Sequence, residues 1–259
     1  MVGVHRAGIG ASRPNFVTGE QLVAGSTCVL GESAARHMRV LRLEPGTMVG
    51  VRDGQGTVAE GKLARVSKTQ AHIDIEVVES IAPLPPVHLL VPVADRERML
   101  WLAEKACELA CTSWRPVLWH RSKSVTPRGE GIVFQGKTRA RMESALAQSE
   151  GAWLPQIYPE ASADRAALAA PAGDRIVLDP SGPPLAGEGS MSISAPVTIA
   201  LGPEGGFEPG ELELLIAAGF RTASIGRTIL RFETAGVAAL GIVRTVVADS
   251  SSASDQFPS

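Results

Sequence analysis

A largely parallel α/β domain preceded by a small β-barrel-like domain is the fold class predicted for this 259-residue chain, and three features predict it. From Val87 onward, short apolar runs alternate with segments of helical period, the pattern of a sheet whose crossovers are helices. Before that point, short runs separated by tight turns read as the strands of a small barrel. Between the two lies Ala82-Pro83-Leu84-Pro85-Pro86, too rich in proline for strand or helix, which reads as a linker. The domains are expected at 16–81 and 87–249, with a loose leader over 1–15 and a disordered tail over 250–259.

In chain order, Ser33 is placed to cap a helix over 34–43, with Ala35, Met38 and Leu41 on one face and Arg36, Arg39 and Arg42 on the other. Pro45-Gly46 ends it. Strands follow at 48–51, 57–66 and 71–77, the first two separated by a turn at Asp53-Gly54. In the last, Ile73, Ile75 and Val77 alternate with His72, Asp74 and Glu76, a strand with one wet face. Beyond the linker come a strand over 87–93 and a helix over 98–110, on which Met99, Leu102, Ala106 and Leu109 share a face. A short strand over 116–119 leads to a basic loop, 121–136, and a helix over 138–149. Strands at 175–178 and 197–201 flank a loop rich in Gly, Pro and Ser, 182–194. A helix over 211–218 closed by Gly219, a strand over 222–225 and a helix over 232–248 complete the order.

The totals exclude little. Lys and Arg number 25 against 27 Asp and Glu, a net charge of −2, so any affinity for a polyanion must come from distribution. Between Arg96 and Arg141 there are ten Lys/Arg against four Glu, a local excess of +6, which reads equally as a solvated face or as an electrostatic footprint. The three cysteines, Cys28, Cys107 and Cys111, lack the spacing of a disulfide framework and fit a reducing compartment. Cys107, Cys111 and His120 do not complete a metal set, and the cysteines read as small core residues; no metal is expected. No apolar run reaches about 18 residues, and the cytoplasm is the expected location.

The densest chemical signal is the stretch from Leu201 to Ala235. Three consecutive predicted strands end in similar breaks: Leu178-Asp179-Pro180, Leu201-Gly202-Pro203-Glu204-Gly205-Gly206, and Ile225-Gly226-Arg227. In a parallel sheet such ends share one rim, where ligands bind. Neither the dinucleotide fingerprint nor the P-loop pattern is present. Glu233, at a helix start, is either a carboxylate suited to the helix dipole with Arg231 as its ion-pair partner, or a proton acceptor. Arg231, always protonated, stabilises negative charge or holds a phosphate.

LGPEGGF, followed by IGRTILRFETA, resembles the C-terminal signature of the RsmE-type 16S rRNA (uracil N3)-methyltransferases of the SPOUT superfamily. The run Ala35-Arg36-His37-Met38-Arg39-Val40-Leu41-Arg42, with Pro45-Gly46 and Asp53-Gly54, is similar to that family's PUA-like RNA-binding domain, and the segment from Arg98 to Leu109 to its first helix after the linker. The resemblance implies a C-terminal trefoil knot, S-adenosylmethionine (SAM) as cofactor, a homodimer, and methylation of a uridine N3 in 16S rRNA, free or within the 30S subunit. It implies cofactor contacts at Leu178, Asp179, Pro180, Leu201, Gly202, Pro203, Glu204, Gly205, Gly206, Ile225, Gly226, Ile229, Leu230, Arg231, Thr234 and Ala235. The candidate catalytic residues are Arg231 and Glu233. Candidate RNA contacts are Arg13, Arg36, Arg39, Arg42, Arg121, Lys123 and Arg128. The chain departs from the family pattern at Thr228, at Phe232 and at Ala147-Gln148-Ser149. A SPOUT ribose 2′-O-methyltransferase and a catalytically silent RNA-binding protein are the alternative readings.

Overall fold

The computed structural model describes residues 13–124, 128–186 and 193–253, with the backbone alone for 123–124 and 248–253. The chain divides into two units, 1–81 and 82–259. The first holds β1 (Asn15–Val17), β2 (Thr27–Leu30), β3 (Met48–Arg52), β4 (Thr57–Val66) and β5 (Ala71–Ser80). They form one sheet in the order β1-β3-β4-β5-β2. Its core gathers Phe16, Leu30, Met38, Val49, Leu63 and Ile73. β1 and β2 are too short to carry a readable period. Asp53 shapes the turn before β4 by accepting from the Gln55 and Thr57 amides at 2.7 and 2.9 Å.

Two details of this unit differ from the sequence expectation. Helix α1 (Glu32–Val40) has Gly31, not Ser33, at its N-cap, and no side chain caps it. It stops short of 43 because Arg42 turns left-handed at φ 54°, so Leu41 is exposed while Ala35 and Met38 are buried. Val77 is exposed as well. The ladder pairs Glu60 with Val77 but Gly61 with Ile75, and one extra residue in β5 inverts its alternation from there on.

The second unit is built on a sheet in which every pairing is parallel, in the order β12-β10-β11-β6-β7-β8, with β9 also on β7. The strands are β6 (Val87–Pro92), β7 (Ser113–Leu118), β8 (Gln156–Ile157), β9 (Ala161–Ser162), β10 (Asp174–Leu178), β11 (Val197–Ala200) and β12 (Arg221–Ala223). Central strands are buried on both sides, as helical crossovers require. Helices α4 (Ala163–Leu168) and α5 (Pro209–Ala217) pack around Leu90, Ala200, Leu215 and Phe220. Leu89 and Ile199 point the other way, to the side served by α2 (Arg96–Glu108), α3 (Gly131–Ser149) and α6 (Phe232–Ala253).

Helix α3 begins at Gly131, so much of the expected basic loop is helical. Gly136, a residue that costs about 1 kcal/mol inside a helix, obscures this in the sequence. Asp95 caps α2, its carboxylate accepting from the Arg98 amide at 3.0 Å, which moves the helix start ahead of 98. α6 continues past 248 to Ala253. The leader to residue 12 and the last six residues lie outside the described residues.

One half-buried cation, Arg244, ties α2 to α6. Arg244 donates to the carbonyl of Leu109 at 3.1 Å and also to those of Ala110 and Pro85. It thereby satisfies carbonyls left free where α2 ends in the left-handed Ala110. Arg244→Ala is expected to lower stability by about 2–3 kcal/mol, seen calorimetrically as a fall in Tm of about 5–10 °C.

Cys107 and Cys111 lie in this core and donate to the carbonyls of Met142 and Ser113 at 3.2 and 3.1 Å. Burial pushes both thiols up to about 12, so they stay neutral below that pH, and Cys28 is buried and raised as well. A disulfide thiol reagent should leave both intact in the native protein and modify them promptly in guanidinium; fast reaction of either in the native state would overturn this placement.

Candidate functional site

Because β10 pairs in parallel with β11 on one edge and β12 on the other, the three carboxyl ends open on one rim. Behind β10, Asp179 Oδ1 accepts from the Ser181 amide at 2.8 Å, and the Gly182 amide donates to the Asp179 carbonyl at 3.0 Å. Gly182 then lies flat on β12, where a Cβ would stand 2.7 Å from the Ala223 nitrogen. Behind β11, the Gly206 amide closes a turn on the Pro203 carbonyl at 2.8 Å, with Gly206 at φ 74°. A Cβ on Gly202 would stand 2.9 Å from the Phe207 ring. That ring meets Trp119 edge to face, 4.9 Å between centroids.

The three loops enclose a cleft with about 780 Å³ of empty space, open solvent at its mouth included. Of the expected cofactor residues, Leu178, Asp179, Pro180, Leu201, Gly202, Pro203, Glu204, Gly206, Ile225, Gly226, Ile229, Leu230 and Ala235 line it. Gly205, Arg231 and Thr234 do not. Phe207, Ala223, Ser224, Thr228 and Phe232 line it without having been in the expected set. Phe207 stands inside the LGPEGGF run, but only its packing on Trp119 shows that it forms a wall.

Charge is arranged asymmetrically around this cleft. Glu233, in the first turn of α6, is only 8 % exposed, and its Oε2 is buried with no hydrogen-bond partner. Its counterion is not Arg231, which precedes the helix, is exposed and forms no ion pair among the described residues. It is Arg98, whose Nε lies 3.9 Å from Glu233 Oε1. The same guanidinium donates through Nη1 to Glu204 Oε1, at the cleft wall. Arg98 is the charged residue at this site that sequence reasoning left unassigned: it stands 106 positions from Glu204, and no local pattern announces the contact. Arg231 and Arg227 are exposed beside the cleft mouth and have no side-chain partner among the described residues.

The candidate RNA contacts fall into two groups. Arg13 pairs with Glu60, Arg39 donates to the carbonyls of Ala35 and Lys68, and Arg128 pairs with Glu130 at 2.8 Å. Arg121 pairs with Glu208 at 2.7 Å and donates to the Gly205 carbonyl, bracing the glycine loop. Glu208 also forms the capping box that starts α5 with Glu211. Arg36 and Arg42 are exposed and form no ion pair among the described residues. The Lys123 side chain lies outside the described residues. Among those residues no group of three or more His, Cys, Asp or Glu could hold a metal ion, and no helix is long and apolar enough to cross a membrane.

Comparison with known proteins agrees with this geometry. A family model described as an RNA methyltransferase domain matches residues 82–244, and one described as an RNA methyltransferase PUA domain matches residues 30–76. The ribosomal RNA small subunit methyltransferase E of Synechocystis sp. is 28% identical over 245 residues, 89% of this chain and 77% of its own. That of Aquifex aeolicus is 24% identical, over 85% and 94%. The structure of ribosomal RNA small subunit methyltransferase E from Neisseria gonorrhoeae bound to SAM superposes with a TM-score of 0.79 at 26% identity, covering 91% of this chain and 98% of that one. A Legionella pneumophila protein solved with SAM shares the fold at a TM-score of 0.82 and 24% identity, with the same coverage. With a parallel sheet, a rim cleft and a family match over more than half its length, the chain belongs to the RNA methyltransferase family.

Proposed function

We propose that the protein is a SAM-dependent methyltransferase that methylates N3 of a uridine in the 16S rRNA of the small ribosomal subunit. The observation that carries this reading is the convergence of three glycine- or proline-broken strand ends on one cleft, with Arg231 and Glu233 immediately beside it. The residues present fit the cofactor. Leu178, Leu201, Ile225 and Leu230 offer an apolar wall, Gly202 and Gly206 keep the backbone open, and Glu204 brings a carboxylate suited to a cationic ligand.

When bound, SAM supplies an electrophilic methyl group on a sulfonium. The protein has then to hold the uracil in line and take its N3 proton. Glu233 is suited to accept that proton, because it starts a helix beside the cleft, where the dipole favours the carboxylate. Arg231, exposed and unpaired among the described residues, is suited to bind the uracil carbonyls as negative charge develops on them, or an adjacent phosphate. Arg36 and Arg42 offer phosphate contacts on the first unit.

A homodimer, a cytoplasmic setting, a trefoil-knotted C-terminal unit and 16S rRNA, free or within the 30S subunit, belong to the same reading. The insertion of β11 between β10 and β6 is compatible with the knot.

Glu233→Gln and Arg231→Ala are expected to cut methyl transfer by about a hundredfold or more, with the fold intact and SAM affinity kept within about tenfold. Calorimetry and nucleoside mass spectrometry of the product read these quantities. Wild-type protein that binds no SAM, or N3-methyluridine persisting in rRNA from a deletion strain, would sink the function; full activity in both variants would sink only the residue roles.

A further inference from the structure

Arg98 serves two carboxylates with one positive charge. Its backbone is fixed by the Asp95 cap at the start of α2, and its side chain spans from Glu204, on the cleft wall, to Glu233, at the start of α6. The two contacts are unequal. Glu204 receives a direct hydrogen bond, whereas Glu233 lies 3.9 Å away, an electrostatic contact without a hydrogen bond. Glu233 is nonetheless the more deeply buried of the two, its side chain 11 % exposed against 39 % for Glu204. A buried carboxylate left with an unpartnered oxygen is costly, and the cation that would satisfy it is held by its competitor.

The competitor faces a ligand. Glu204 lines the cleft, and SAM carries positive charge at its sulfonium and its amine. A cationic ligand in the cleft offers Glu204 a second source of positive charge and weakens its hold on Arg98. The freed guanidinium then has one carboxylate to serve, and it already stands beside it.

We propose that Arg98 is a positioning residue that couples cofactor occupancy to Glu233: Glu204 holds it when the cleft is empty, and Glu233 gains its hydrogen bonds when the cleft is filled. The proposal rests on the reading of the cleft as a SAM site. Because coupling is reciprocal, Glu233 must in turn favour cofactor binding, and only through Arg98. A purely structural Arg98 would instead support both sites independently, and its loss would weaken both.

The test is SAM affinity by calorimetry for the wild type, Glu233→Gln, Arg98→Ala and the double variant, with melting curves to show that each is folded. Glu233→Gln should weaken SAM by about fivefold. Arg98→Ala should bind SAM at least as tightly as the wild type, because Glu204 is released to the ligand, while its kcat with rRNA falls by about a hundredfold. In the Arg98→Ala background, Glu233→Gln should have no further effect on affinity. Arg98→Gln repeats the comparison should alanine lose the fold. An unchanged SAM affinity in Glu233→Gln, an undiminished effect of that change without Arg98, or SAM binding lost in both Arg98 variants would overturn the proposal. Each of these can occur in a protein that binds and uses SAM, whereas a wild type that binds none defeats the functional reading first and this inference with it.

Discussion

A strand paired in parallel along both edges must deliver three carboxyl ends to the same side of a sheet, and β10, between β11 and β12, is such a strand. Everything at the site follows from this hydrogen-bonded ladder. The loop behind β10 rests on β12 with no room for a side chain at Gly182. The loop behind β11 folds back on itself through Gly206 and seats Phe207 against Trp119. A one-residue slip in either pairing would separate these loops and leave Glu204 without access to the ligand, because register fixes which residues lie at the rim.

The supports around the glycine loop are electrostatic and come from far along the chain. Arg121, in the turn after β7, braces Gly205 and Glu208, and the His120 amide donates to Glu211 at 2.6 Å. Arg98 reaches the same loop from α2. The loop is thus held at its tip and at its exit by residues of the first half of the unit, while its glycines leave the inner surface open. A rigid frame around an uncluttered wall is what preorganised binding requires.

The parallel sheet, the linker and the three strand ends were legible in the sequence because each has a local signature: apolar runs, a proline cluster, and Gly or Pro at the end of a strand. Most of the cleft lining followed from those breaks. Phe207 did not, since an aromatic after two glycines has no periodicity to mark it, and it became a wall only through Trp119. Arg98 did not, because an ion pair between distant segments depends on the fold and not on spacing. The inverted alternation at Val77 and the early start of α3 show the same limit: a bulge or an interior glycine changes phase in a way that composition does not register.

The basic stretch from Arg96 to Arg141 takes on a different meaning once folded. Arg128 and Arg141 are engaged by Glu130 and Glu104 within the stretch, and Arg121 and Arg139 by Glu208 and Glu143 beyond it, so these four arginines already have carboxylate partners within the molecule. A phosphate arriving at these arginines would have to displace a carboxylate. For each such exchange, the release of ions from the nucleic acid is set against the liberation of a protein anion that needs a counterion of its own. The number of salt ions discharged on binding would therefore track the few arginines that begin without a partner, such as Arg36, Arg42, Arg227 and Arg231, and not the basic residues as a whole.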